Sequence, residues 1–147
     1  MDFNLFVIKQ NWLLLADGAL MTFIICSVSL ALGTGLGLIL CLGKMRRRGL
    51  FFRVSTIIID TFRTLPELVP IFWIYSAGPL IFDFRISAEG AGIMALTLYS
   101  GAFLAEIFRA GLEAVPKGQY EAANSLGIPR VWSFLVIIAP QAARMMT

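Results

Sequence analysis

The chain contains no histidine. That removes the one side chain that ordinarily titrates near neutral pH and the commonest metal ligand, so a histidine-based site is excluded. Charge is also scarce. Asp, Glu, Lys and Arg make up 14% of the residues, against about a quarter in soluble domains. With 59% hydrophobic residues and a mean hydropathy of +0.83, there is too little polar surface to wrap a water-soluble body, and a lipid environment is the expectation. Cysteine is limited to Cys26 and Cys41. Both fall in the first apolar span, where on one helix they stand about 22 Å apart, too far for a disulfide, so both read as packing residues. A basic N-terminal region is missing as well. Asp2 and Lys9 are the only early charges, so no cleavable signal peptide is evident and the first span is expected to stay in the membrane.

What is present is a series of apolar segments. Residues 18–43 carry no charge and reach about 39 Å as a helix, more than a ~30 Å hydrocarbon core. Ser29, Gly33 and Gly37 recur every four residues, a small-residue face on which another helix can approach closely. The same glycines do not form a nucleotide loop, because no strand precedes them and no Gly-Lys-Ser/Thr follows. Lys44, Arg46, Arg47, Arg48 and Arg53 then crowd one short stretch with no acid among them. Directly after a spanning segment, such a run orients the protein with this loop in the cytoplasm. Anionic lipid contact is compatible with it, and a nucleic acid partner is not expected. The second span, 54–82, is interrupted. Asp60, Arg63, Pro66, Glu67 and Pro70 sit inside it, and prolines four apart should break or kink a helix. Asp60/Arg63 and Arg63/Glu67 have helical pairing distances. They read either as pairs near the cytoplasmic interface or as groups lining a path, with Glu67 attracting a cationic substrate group. A third span covers about 90–108 and ends at Glu106 and Arg109, spaced to pair. A fourth starts near Val131.

Alternation from the basic loop leaves the N-terminus outside and returns 109–130 to the cytoplasm. Within that loop, Pro116 can open a helix, residues 119–126 can continue it with Glu121 near its positive end, and Gly127 can stop it in a left-handed conformation. Ile128-Pro129 then begins the return to the membrane. A helix break carrying the small residues Ala122 and Ala123 beside the apolar Tyr120 and Leu126 makes an exposed knob. By physics alone, a docking element and a solvated loop without a partner both remain open.

Glu121-Ala122-Ala123, Gly127, Ile137 and Pro140 resemble, in spacing, the EAA loop of permease subunits from ATP-binding cassette importers. Gly18, Thr22, Ser29, Gly33 and Gly37, the stretch 100–111, the approach 113–123, and Pro140-Gln141-Ala142 with Arg144 resemble the polar amino acid branch. The chain departs from that branch at Arg63-Thr64-Leu65-Pro66, where Arg-Gly-Thr-Pro is usual, and at Glu67, Pro70 and Ala139, which bears on the substrate more than on the family.

The resemblance implies an all-α polytopic membrane protein of the type I importer permease fold, with three full transmembrane helices and the start of a fourth. Residues 1–17 would be an extracytoplasmic segment. Residues 18–147 would be a transmembrane domain incomplete at its C-terminus, with a cytoplasmic coupling loop at 110–130. Tyr120, Glu121, Ala122, Ala123, Asn124, Ser125, Leu126 and Gly127 would touch the ATPase, and Asp60, Arg63 and Glu67 are candidates for the translocation path. The implied partners are ATPase subunits, a second permease subunit (identical or homologous), an extracytoplasmic amino acid-binding protein and membrane lipids. No cofactor is implied, and ATP hydrolysis would belong to a partner. A truncated, non-transporting fragment and an ATP-independent channel or carrier are the alternatives. A membrane enzyme has no nucleophile, metal or phosphate-loop constellation to support it.

Overall fold

The computed structural model describes residues 11–82 and 86–146. Asp2 and Lys9 near the N-terminus, and Asp83 and Arg85 between the second and third spans, lie outside the described residues. Helix α1 spans Trp12–Met45, α2 Leu50–Thr64, α3 Leu68–Phe72 and α4 Gly78–Phe82. The long α5 spans Ala88–Ala114, α6 Lys117–Ser125, α7 Arg130–Trp132 and α8 Ala139–Met145. No strand occurs among the described residues. Helices α1 and α5 are each long and apolar enough to cross a membrane. α1 begins at Trp12, ahead of the expected 18, because Leu13, Leu14, Leu15 and Ala16 all favour helix and Asp17 alone does not stop one.

α1 and α5 form the spine, and they run parallel. Ser29 Oγ lies 3.4 Å from Ile93 O, and Ser100 Oγ, whose proton goes to Leu96 O at 2.7 Å, lies 3.4 Å from Ser29 O. Further along, a methyl built on Gly33 would collide with the Ser100 hydroxyl, and one on Gly37 would come within 3.0 Å of Gly101 O. The expected small-residue face is therefore the contact face. Ala91, Ala95, Ala102 and Ala105 answer it from α5, all buried. Small side chains on both helices let the backbones approach, the dispersion contact that holds helices together where lipid removes the hydrophobic drive. Toward the C-terminal ends of the two helices a core forms from Leu40, Cys41, Ile59, Ala105, Leu112, Val115, Ile138 and Ala142. Outward, Leu14, Phe23, Leu50 and Leu80 lie bare, an arrangement water would penalise and lipid accepts.

Proline decides where the other helices break. Leu65, ahead of Pro66, is extended (φ −82°, ψ 140°) and closes α2, since the proline ring excludes its neighbour from the helical region. Val115, ahead of Pro116, is extended (φ −69°, ψ 125°) and closes α5 in the same way. Pro70 instead falls in the first turn of α3, where its missing N–H is not needed. The two remaining interior prolines produce wide turns. Gly78 N donates to Trp73 O after the π-helical turn Trp73–Ala77, and Ala139 N donates to Phe134 O after the π-helical turn Ser133–Ile138. In each case the residue just before a proline, Pro79 or Pro140, reaches back five positions. The wider turn gives the ring room against the carbonyl four residues behind it.

Candidate functional site

The loop after α5 is a built object. Gln119 N donates to Pro116 O at 3.0 Å, setting the first turn of α6. At the other end Gly127 takes φ +70°, its N–H donates to Asn124 O at 3.0 Å, and Ile128 N donates to Ala123 O at 3.1 Å. Those paired bonds around a left-handed glycine are the Schellman motif, so the stop expected at Gly127 is present. Ala123 is 2% exposed. α6 packs on the turn Ser133–Ile138, and Gln141 Nε2 donates to Gln119 Oε1 at 3.2 Å, so the side of α6 that carries Gln119 and Ala123 fastens it to the helix that follows. Tyr120 and Asn124, the next pair at helical spacing, border a hollow of about 230 Å³ shared with Arg130, Ser133 and Phe134. Ala122 and Leu126 form the outer face, with Leu126 77% exposed. Glu121 and Ser125 lie beside them, exposed, and Ser125 Oγ donates back to Glu121 O at 3.0 Å.

An ion cluster lies at the C-terminal ends of α1 and α5. Lys44 Nζ sits 2.6 Å from Glu106 Oε1 and 3.2 Å from Asp60 Oδ1. Arg109 donates to Glu106 Oε2 from Nη2 at 2.7 Å and from Nε at 3.0 Å, and to Glu113 Oε2 from Nη1 at 2.6 Å. The expected Glu106–Arg109 pair is present. Asp60 and Arg63 do not pair: Asp60 engages Lys44, and the Arg63 guanidinium lies 5.6 Å from the centroid of the Phe103 ring, a cation–π contact. The break between α2 and α3 accounts for the second failed pairing, because it takes Glu67 off the helix that carries Arg63. Glu67 is exposed at the head of α3. Beside the break lies an apolar hollow of about 460 Å³ lined in part by Phe62, Leu65, Pro70, Trp73 and Leu98. Asp60, Arg63 and Glu67 thus stand near one interruption but not as one charge cluster.

Because Lys44 reaches Glu106, the basic turn after α1 and the loop after α5 emerge at the same end of the molecule. Among the described residues, no group of His, Cys, Asp or Glu gathers as a metal site. Lys44 was the residue missed in sequence: its partners lie on other helices, beyond any i+3 or i+4 rule.

Residues 33–147 match the family described as binding-protein-dependent transport system inner membrane component. The chain belongs to that family. A putative glutamine transport system permease protein of Rickettsia prowazekii is 34% identical to it over 130 residues, 88% of this chain and 60% of the relative. A probable glutamine ABC transporter permease protein of Bacillus subtilis is 34% identical over 146 residues, 99% of this chain and 66% of the relative. The chain thus spans under two thirds of the length of these permeases. The crystal structure of an amino acid ABC transporter with histidines matches with a TM-score of 0.84 at 33% identity, covering 99% of this chain and 68% of that one. The fold is therefore the all-α ABC importer permease fold, and this family member is a membrane protein.

Proposed function

We propose that this chain serves as a permease subunit of an ATP-driven amino acid importer. It would form half of a translocation path and take its drive from an ATPase on another polypeptide, where ATP is hydrolysed. The observation that carries this reading is α6, a short helix capped at Gly127, held to its own chain through Ala123 and Gln119, and open outward along Ala122 and Leu126. Rigid transmission needs a helix that moves as one piece with the membrane helix behind it, and this attachment provides for it. Tyr120, Glu121, Ala122, Asn124, Ser125 and Leu126 would meet the ATPase, with Ala123 and Gly127 fixing the helix beneath them.

The basic turn supports a cytoplasmic position for this end, and the shared end of α1 and α5 carries α6 with it. A second permease subunit and an extracytoplasmic binding protein would complete the importer. The glutamine permeases among its relatives support an amino acid as substrate. Glu67, exposed beside the α2–α3 break, is the acidic group we assign to the path, where it would attract a cationic substrate group. Arg63 would be its neighbour on the wall, and Asp60 would hold the wall through Lys44.

The test is Glu121→Lys in the assembled transporter. Uptake and substrate-stimulated ATP hydrolysis should become uncoupled while membrane insertion stays normal. Unchanged substrate-stimulated hydrolysis sinks the coupling assignment, and uptake that persists without ATP returns the chain to the channel or carrier class. For the path, Glu67→Gln should lower arginine uptake more than glutamine uptake; equal effects remove the selectivity role.

A further inference from the structure

We propose that the groove between the end of α1 and the start of α2 binds one anionic phospholipid. Its acyl chain would lie along Ile39, Leu42, Met45 and Phe51, and its phosphodiester would meet Arg46. The inference stands apart from the transport reading. The groove is open-sided and offers about 410 Å³, within the range of clefts that hold small ligands (~300–1,000 Å³). Ile39, Leu42 and Arg46 follow one another at helical spacing along one side of α1, so the apolar wall leads about 10 Å from the charge toward the hydrocarbon. Ile39 and Leu42 are both more than half exposed, while Phe51 closes the far side from α2.

The charge balance selects the sign of the ligand. Lys44 is already committed to Asp60 and Glu106. Arg46, Arg47, Arg48 and Arg53 have no carboxylate partner among the described residues. The Arg46 guanidinium lies 5.8 Å from the Phe51 ring centroid, which holds it at the mouth of the groove and leaves its N–H groups for an acceptor. Arg47 adds a separate sign. It takes φ +58°, while Gly49, which could hold a left-handed turn freely, stands two positions on. Glycine would be easier at that φ, and Arg47 brings a second cation without a carboxylate partner among the described residues directly beside Arg46. A soluble anion would leave the apolar wall unused, and an extended acidic peptide would leave backbone groups unpaired against lipid. A phospholipid satisfies both ends.

Native mass spectrometry of the purified protein in detergent, with phosphatidylglycerol or phosphatidylcholine added, tests this. Phosphatidylglycerol should be retained more strongly, and Arg46→Gln should lower its retention ~5-fold, the share of one interfacial cation. Leu42→Trp, which fills the groove and leaves every charge in place, should lower it as well. Arg47→Gly should raise the melting temperature in phosphatidylcholine yet weaken phosphatidylglycerol retention, a pair of opposite signs that a merely structural turn does not give. Equal retention of the two lipids overturns the site. So does unchanged retention in Leu42→Trp, which leaves only diffuse charge attraction. Full displacement by glycerol 3-phosphate, or by a glutamate-rich peptide, reassigns the patch to a soluble anion or an acidic protein segment and overturns it too. Arg46→Gln and Leu42→Trp act through different atoms, so either decides if the other fails to insert.

Discussion

Lys44 Nζ lies 2.6 Å from Glu106 Oε1, and this contact ties the last turn of α1 to the C-terminal half of the parallel membrane helix α5. Glu106 is the better shielded partner of the cluster, with its side chain 13% exposed against 60% for Asp60. A shielded carboxylate between two cations should matter more than an open one. We expect Glu106→Gln to destabilise the folded protein by about 1.5–3 kcal/mol and Asp60→Asn by less than about 1 kcal/mol. Thermal melts in detergent rank the two. A larger loss in Asp60→Asn would mean that α2, not α5, is held by Lys44.

The small-residue face makes a sharper prediction, because three glycines on α1 differ in what surrounds them. A Cβ at Gly37 meets backbone, Gly101 O at 3.0 Å and Ala105 N at 3.2 Å, which cannot rotate away. At Gly33 the first obstacle is the Ser100 hydroxyl, which can. At Gly35 nothing lies within 4 Å. Gly37→Ala should therefore cost about 1–3 kcal/mol, and Gly33→Ala less, with partial recovery on adding Ser100→Ala. Gly35→Ala should stabilise by about 0.5–1 kcal/mol through helix propensity alone. Melting temperatures in the order Gly35→Ala, wild type, Gly33→Ala, Gly37→Ala are the expected result.

Local rules carried the sequence reading as far as they reach. Pro66 breaks the second span because it constrains the residue before it, Pro116 opens α6, and Gly127 ends α6 because glycine turns left-handed without strain; that the third span runs on from Phe108 to Ala114 was not read. Ser29, Gly33 and Gly37 announced a helix contact through a repeat of four, and Glu106–Arg109 through a spacing of three. The partner of that glycine face was not legible, since α5 follows tens of residues later. Asp60 and Arg63 show the same limit: their spacing suited a pair, but Lys44 and Phe103 arrive from other helices and take them. The wide turns at Trp73–Ala77 and Ser133–Ile138 had their cause in plain view at Pro79 and Pro140. Whether a proline kinks a helix or widens it depends on the packing around the freed carbonyl. Ala123 facing inward was hidden for a related reason, because α6 meets its support in a helix that comes after it.

The cap of α6 can be weakened without touching its outer face. Gly127 stands at φ +70°, so Gly127→Ala strains the turn by about 1 kcal/mol, while Gly127→Asn, tolerated in that region, should cost less. Amide exchange at Ile128, whose N–H bonds Ala123 O at 3.1 Å, should quicken in the order glycine, asparagine, alanine. Exchange along α1 should not change. If Ile128 exchanges equally in all three, the helix end is held by Gln119–Gln141 and the contacts of Ala123 alone.

The parallel between Pro79 and Pro140 yields the last prediction. In both wide turns the residue ahead of the proline bonds a carbonyl five positions back. Replacing the proline restores an N–H and removes the ring, so the ordinary four-residue bond becomes available to position 140 from Val136 O. We expect Pro140→Ala to convert Ser133–Ile138 to regular α-helix, rotating the residues before Ala139 relative to those after it. That rotation moves Ser133 and Ile138, both buried, away from the face that receives α6. Isotope-edited infrared spectroscopy on the Val136 carbonyl should show a new hydrogen bond. The Gln119–Gln141 contact, 3.2 Å here, should loosen, and under the proposed function uptake should fall more than insertion. Retention of the wide turn in Pro140→Ala would show that packing against α5 and α6, and not the proline ring, sets the register of this helix.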